Sequence, residues 1–166
     1  DLHRTPQALG PLLDEAARAL HVPEGALPLL LDLHHGQATV VVDAEKLQRA
    51  LANVLSNAYK YSPAGGAVRL ETLEGRLDGQ PAVGVRVVDR GIGMTPAQVA
   101  RIFERFYRAD PSGNIPGTGL GMSLVKEIMD LHQGRVEVHS EPGRGTAVTL
   151  WFPLAAAAEP VPKIPQ

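Results

Sequence analysis

The 166-residue chain is long enough for one domain with a buried core, is 44% hydrophobic, and carries a net charge of −2 with its histidines neutral. That balance suggests neither a nucleic-acid footprint nor an acidic tail, and the lack of cysteine excludes disulfides, zinc–thiolate sites and cysteine nucleophiles. No apolar run approaches a membrane-spanning length, Asp1-Leu2-His3-Arg4 does not resemble a secretory signal, and the start without Met suggests an excised or processed piece, expected to be soluble and from a reducing compartment.

Leu9 to Leu20 places Leu12, Leu13, Ala16, Ala17 and Leu20 at helical spacing, with Pro11 in the first turn. Pro23, Gly25 and Pro28 break that pattern. Leu29 to His34 and Ala38 to Val42 are short β-prone runs around His35-Gly36-Gln37, which suggests a hairpin or an extended crossing. Asp43 suits the cap of the next helix, about Ala44 to Tyr61, and Glu45 suits its first turn. Leu47, Leu51, Val54, Leu55 and Ala58 form its apolar stripe. Asn53, Asn57 and Lys60 share a face at the edge of that stripe. Asparagine is a poor helix-interior residue, so two of them four apart beside a cation suit a metal ion and phosphate better than a core.

Pro63 and Gly65-Gly66 end this helix. Val68 to Leu73 and Val83 to Val88 alternate as strands, with Arg76 to Gln80 reading as a polar turn between them. The second strand runs into Asp89-Arg90-Gly91-Ile92-Gly93. Asp89 alone suits an Asx turn, but it also suits a carboxylate accepting from a ligand amino group, with two glycines leaving room for a flat ring. Thr95-Pro96 opens a helix to about Phe103. In Phe103-Glu104-Arg105-Phe106-Tyr107-Arg108, aromatic anchors sit beside guanidiniums, and Arg108 stands at the entry to a polar segment, Ala109 to Pro116, that reads as a mobile loop.

Gly117-Thr118-Gly119-Leu120-Gly121 leads into a helix to about His132, ended by Gly134, and lets backbone N–H groups approach an anion. It matches neither the dinucleotide fingerprint nor the G-x-x-x-x-G-K-[ST] loop. Arg135 to Ser140 and Thr146 to Phe152 are strands around Glu141-Pro142-Gly143-Arg144-Gly145. Short joins imply antiparallel pairs, so the expected fold class is α+β: an α/β sandwich with a mixed, mainly antiparallel sheet and helices on one face. His34 and His35 are adjacent and face opposite ways on a strand, which argues against a metal pair. His132 is expected to pack or cap, Met122 and Met129 to fill core or pocket wall, and Tyr59 and Trp151 to pack.

Taken together, these segments resemble the catalytic ATP-binding domain of bacterial sensor histidine kinases of two-component systems. That domain belongs to the GHKL superfamily (Bergerat fold, HATPase_c), with gyrase-type ATPases, mismatch-repair ATPases and heat-shock chaperones. NVLSNAYKYSP is similar to the family's N box, DRGIGM to its first glycine box, and FERFYR to its F box. GTGLGMSLVKEIMDLHQG is similar to the second glycine box, and GRGTAVTLWFP to the closing strand. They run in the family's order from about Asp43 to Pro153.

The resemblance implies Mg²⁺ and ATP as ligands. Asn57 would hold Mg²⁺, Lys60 and Arg108 would neutralise phosphate charge, and Tyr61 would line the base or ribose side. Asp89 would accept from the adenine amino group with support from Thr146, and Gly91 and Gly93 would shape the adenine wall. Gly117, Thr118, Gly119, Leu120 and Gly121 would meet the phosphates, with Asp110 to Pro116 as the ATP lid. Asn53 stands where the ATPase branches carry a water-activating Glu. A neutral amide cannot be a general base at ordinary pH, which favours transfer to a protein group over hydrolysis.

The implied function is transfer of the γ-phosphate to a histidine on a dimerisation domain outside this chain. The alternatives are a GHKL-type Ser/Thr protein kinase of the anti-sigma type and a nucleotide-gated interaction module without transfer. His3 is beside Arg4 rather than three residues before it, so it is not the expected acceptor, and the fragment alone should not autophosphorylate. Residues 1–8 are expected as a linker or the end of the dimerisation hairpin, 9–154 as the ATP-binding domain, and 155–166 as a disordered tail. Implied partners are that dimerisation domain and a response regulator, with no nucleic acid. The fragment would be monomeric and cytoplasmic and its parent homodimeric, with an inner-membrane anchor on the parent left open.

Overall fold

The structure is a computed structural model that describes residues 1–63, 65–109 and 121–155. Among them a five-stranded sheet has the order β2 (Leu30–Asp32), β4 (Arg69–Leu77), β5 (Gln80–Asp89), β7 (Gly145–Pro153) and β6 (Arg135–Glu141). Only the β2–β4 pair is parallel. Helices α1 (Leu9–Ala19), α2 (Ala44–Lys60) and α4 (Gly121–Leu131) cover one face, and the short α3 (Pro96–Arg101) follows β5. This is the expected α+β arrangement, and the main core forms where Leu51, Val54, Leu55, Val85, Val125, Met129, Leu150 and Phe152 meet between helices and sheet.

The N-terminal third departs from the sequence expectation. The two β-prone runs do not pair with each other. β2 joins the large sheet beside β4, while β3 (Thr39–Val42) pairs antiparallel with β1 (Thr5–Ala8) as a separate ribbon. Thr5–Ala8, expected as linker or helix end, is therefore a strand. The ribbon has a local cause. α1 has no side-chain N-cap, and its first two N–H groups donate instead to Ala38 O and Gly36 O, at 2.9 and 2.7 Å. Pro11 has no N–H to satisfy. The turn at 33–38 thus caps α1 from outside, which holds β2 and β3 apart.

The join between β4 and β5 is also tighter than the polar segment suggested. The strands continue to Leu77 and Gln80, leaving Asp78-Gly79 as a two-residue hairpin loop with φ of 49° and 81°. The extension builds a small second cluster on the face away from the helices, where Leu73, Leu77 and Ala82 surround Trp151. The indole lies over Gly75 and Gly84, where side chains on the neighbouring strands would collide with it.

Helix α2 begins where the sequence placed it. Asp43 accepts from Lys46 N at 3.1 Å, as a cap does, and from His3 N at 2.9 Å. These two bonds, His3 first, hold its carboxyl below the ordinary 3.8. His132, at the end of α4, completes the junction. Its Nε2 accepts from the Asp43 N–H at 2.9 Å and its Nδ1 donates to Ile128 O at 2.7 Å, so the ring is neutral with the proton on Nδ1. The expected capping role is correct, although the helix capped is α2. Gly134 does not supply the left-handed residue after α4, which is Gln133 at φ 57°. Instead a Cβ at Gly134 would overlap Trp151 O. Of the expected disordered tail, 155–166, only Ala155 is among the described residues, and it donates to Thr39 O at 2.8 Å.

Replacing His132 with Leu leaves the buried Asp43 N–H unpaired. Urea denaturation should show a loss of about 1–3 kcal/mol for that orphaned donor.

Candidate functional site

The described residues line an open-mouthed cleft between α2, the start of α4 and the core face of β5, β6 and β7, about 510 Å³ with the solvent at its mouth included. Its walls are apolar: Val54 and Ala58 from α2, Val87 from β5, Met122 from α4, Val138 and Val148 from β6 and β7, and Met94 and Ile102 from the segment between. Asn57, Tyr61, Asp89 and Thr146 supply its polar groups, and Gly93 closes one side.

Asp89 is only 6% exposed. Its Oδ1 accepts from Gly91 N at 2.9 Å and from Thr146 N at 3.2 Å, while Oδ2 has no partner among the described residues. Burial pushes its pKa above 3.8, opposed by those two backbone donors. One oxygen thus fastens the end of β5 to β7, and the other is left for a donor in the cleft. The Asx turn read in the sequence is present on Oδ1, and the second oxygen is not used by it.

The two glycines of the turn are small for a different reason from the one expected. A Cβ on Gly91 would overlap the carbonyl oxygen of Tyr61 at the end of α2, and one on Gly93 would overlap that of Glu141 at the end of β6. The turn is clamped at both contacts: Ile92 N donates to Tyr61 O at 3.0 Å, and Gly143 N donates to Ile92 O at 2.7 Å. Gly93 also has φ 68°, a left-handed backbone that favours glycine. These residues make room for protein backbone, and the wall they form follows from that. Gly91 is not among the lining residues; Gly93 is.

Asn53 and Asn57 are both half-buried on the face of α2 turned to α4, and a Cβ on Gly121 would have Asn57 Nδ2 at 3.9 Å and Asn53 Cβ at 4.0 Å as neighbours. The structure therefore joins both asparagines and Gly121 at one place, with Asn57 reaching the cleft. Lys60 is exposed. Arg108 is half-buried, and its Nη2 is buried without a hydrogen-bond partner among the described residues. A buried guanidinium nitrogen without a partner is costly, which fits a group awaiting an anion. Phe103 packs on the core, Phe106 is 72% exposed, and Arg101 stacks over the Tyr107 ring at 4.5 Å. Gly117, Thr118, Gly119, Leu120 and the segment Asp110 to Pro116 lie outside the described residues.

Sequence reasoning missed Ser140 and Met94. Ser140 Oγ lies 2.8 Å from Thr146 Oγ1, accepts from Met94 N at 2.8 Å and donates to Gly145 O at 3.0 Å. A lone serine in a short strand carries no signal in the sequence. Among the described residues no three His, Cys, Asp or Glu converge, and no helix is long and apolar enough to cross a membrane. A divalent cation here would rest on amide oxygen and on whatever oxygens its ligand brought.

Comparison with known proteins gives a consistent result. Residues 42–156 match the family described as histidine kinase-, DNA gyrase B-, and HSP90-like ATPase. The sensor histidine kinase YkoH of Bacillus subtilis is 40% identical over 126 residues, which are 75% of this chain and 26% of that protein. The phosphate regulon sensor protein PhoR of Pseudomonas aeruginosa is 40% identical over 123 residues, 73% of this chain and 27% of that protein. The chain thus spans about a quarter of these relatives. Among solved structures, the mycobacterial sensor histidine kinase MprB superposes with a TM-score of 0.76 at 27% identity, covering 92% of this chain and 98% of that one. Full-length ShkA in complex with AMPPNP superposes at 0.78 and 30% identity, covering 97% of this chain and 33% of that one.

Because the Gly93 clamp is backbone on backbone, Gly93→Ala should cost about 3 kcal/mol or more of unfolding free energy by urea titration, since neither side can move without opening the cleft.

Proposed function

The chain belongs to the histidine kinase-, DNA gyrase B-, and HSP90-like ATPase family and is homologous to the catalytic ATP-binding domains of sensor histidine kinases, and we propose from this premise that its cleft binds Mg²⁺-ATP for phosphoryl transfer to a histidine outside this chain. The observation that carries the reading is Asp89 Oδ2, without a partner among the described residues, in a cleft with mostly apolar walls. Val54, Ala58, Met94 and Ile102 suit the faces of a flat base, and Oδ2 suits its exocyclic amine. Tyr61 lies toward the ribose in this reading, and Thr146 supports Asp89.

The phosphates follow the α2–α4 seam. Asn57 opens onto the cleft beside Gly121, at the start of α4, and a helix N-terminus favours anions. Mg²⁺ fits this donor set: it is held in such sites by one or two protein oxygens plus substrate phosphates, and Asn57 supplies an amide oxygen. When bound, the ion offsets phosphate charge as the phosphoryl group transfers. Lys60 and the Nη2 of Arg108, which has no partner among the described residues, add to that neutralisation, and Gly117, Thr118, Gly119 and Leu120 are assigned to the phosphates with Gly121.

In the transfer step an imidazole nitrogen of the acceptor forms a bond to the γ-phosphorus while the bond to the bridging oxygen of ADP breaks. Asn53 lies beside Asn57 as a neutral amide and takes no proton from water, so transfer to a protein group dominates over hydrolysis in this reading. The acceptor domain, the response regulator and a homodimeric parent are the partners proposed. Residues 1–8 are proposed to lead in from the dimerisation hairpin and 9–154 to form the catalytic unit.

Two measurements test the reading. ATP affinity should fall as pH is lowered through a titration lying above 3.8, because the ionised Asp89 is the acceptor and its protonation puts a proton where the amine donates. Asp89→Asn should weaken ATP by about tenfold or more and remove that titration; an unaltered affinity would refute the base assignment. Mixed with a cognate dimerisation domain and labelled ATP, the chain should yield acid-labile, base-stable phosphate on histidine, and Asn57→Ala should abolish the Mg²⁺ dependence. Phosphoserine would instead indicate the Ser/Thr kinase reading, and binding without transfer the interaction module.

A further inference from the structure

Ser140 is on β6, one strand beyond the groups that line the polar end of the cleft. It has one hydroxyl proton and three close partners: Met94 N at 2.8 Å, Gly145 O at 3.0 Å and Thr146 Oγ1 at 2.8 Å. Met94 N can only donate and Gly145 O can only accept. The assignment that makes all three bonds sends the Ser140 proton to Gly145 O and the Thr146 proton to Ser140 Oγ. Thr146 Oγ1 then has no proton left for the cleft and offers lone pairs only.

Beside it, Asp89 Oδ2 is also an acceptor when ionised, and its partner oxygen is already engaged by Gly91 N and Thr146 N. Both polar groups at this end of the cleft therefore accept. A 6-amino purine brings two N–H donors to such a pair, whereas a 6-oxo purine, although its N1 carries a proton, brings at position 6 only an oxygen with lone pairs, which then faces acceptors.

We propose that Ser140 is a positioning residue that sets base specificity: by taking the Thr146 proton it makes the base subsite acceptor-only and selects a 6-amino over a 6-oxo purine nucleotide. The proposal rests on the nucleotide reading of the cleft. Without the Ser140 oxygen, the Thr146 hydroxyl turns and donates to a 6-oxo group, so discrimination relaxes while the apolar walls still hold the ring.

The experiment is isothermal titration of the whole chain with ATP and with ITP, in which an oxygen replaces the amine at position 6. Wild type should prefer ATP. Ser140→Ala should lower the ATP-to-ITP affinity ratio about fivefold, or about 1 kcal/mol, with thermal unfolding run alongside. Ser140→Thr, which keeps a hydroxyl, should retain the wild-type ratio. Thr146→Val should also lower the ratio, and adding Ser140→Ala to it should change the ratio no further, a non-additivity that a merely structural role would not give. If Ser140→Ala does not fold, Ser140→Cys, whose sulfur is a weak acceptor, is read the same way. An unchanged ratio in the folded serine variant, or full additivity with Thr146→Val, overturns the proposal while leaving the nucleotide reading intact. Equal binding of ATP and ITP by wild type, unaffected by Asp89→Asn, overturns both.

Discussion

The contact on which the molecule is organised is a backbone one. The carbonyl of Tyr61, at the end of α2, meets Gly91 and accepts from Ile92, so a helix end and a sheet end are joined without any side chain between them. The same turn is then held from the other side by the β6–β7 hairpin through Gly143 and Glu141. Every polar group in the cleft is attached to one of these three partners: Asn57 and Tyr61 to α2, Asp89 to β5, and Thr146 to β7. Side chains flex through rotamers; backbone pressed on backbone does not, and the relative placement of these groups inherits that stiffness.

The electrostatic consequence is a carboxylate kept in an apolar place at a cost. Burial raises the Asp89 pKa, and two backbone donors recover part of that loss at one oxygen only. A fully satisfied carboxylate would be inert and an unsatisfied one would be protonated more readily. This one is intermediate, with one oxygen bonded to backbone and the other without a partner among the described residues. The two asparagines of α2 divide in a comparable way. Asn57 reaches the cleft, while Asn53 sits a turn away against the start of α4.

Much of this was legible in the sequence because it is written in local chemistry. The apolar stripe of α2, the Asp43 cap and the Thr95-Pro96 opening of α3 all depend on neighbours within one or two turns, and all appear as read, with Gln98 completing a capping box. The ribbon formed by β1 and β3 was not legible, since β1 is a four-residue strand whose partner lies more than 30 residues away and whose cause is a helix capped from outside. The β4–β5 turn was misread because exposed strand residues such as Arg76 look like turn residues when the partner strand is unseen. The glycines of the β5 turn were read as room for a ring, whereas the structure shows them small for protein backbone: sequence shows that a residue is small, and only packing shows what it is small for. Ser140 carried no pattern at all.

The chain's one tryptophan lies on the opposite side of the sheet from the cleft, among Leu73, Leu77 and Ala82 and stacked on two glycines. Its indole environment is set by three neighbouring strands and is shielded by the sheet itself from anything that enters the helix side. The fold therefore carries an intrinsic optical probe set apart from the cleft, whose surroundings are lost when the sheet comes apart, so that unfolding can be followed without a label.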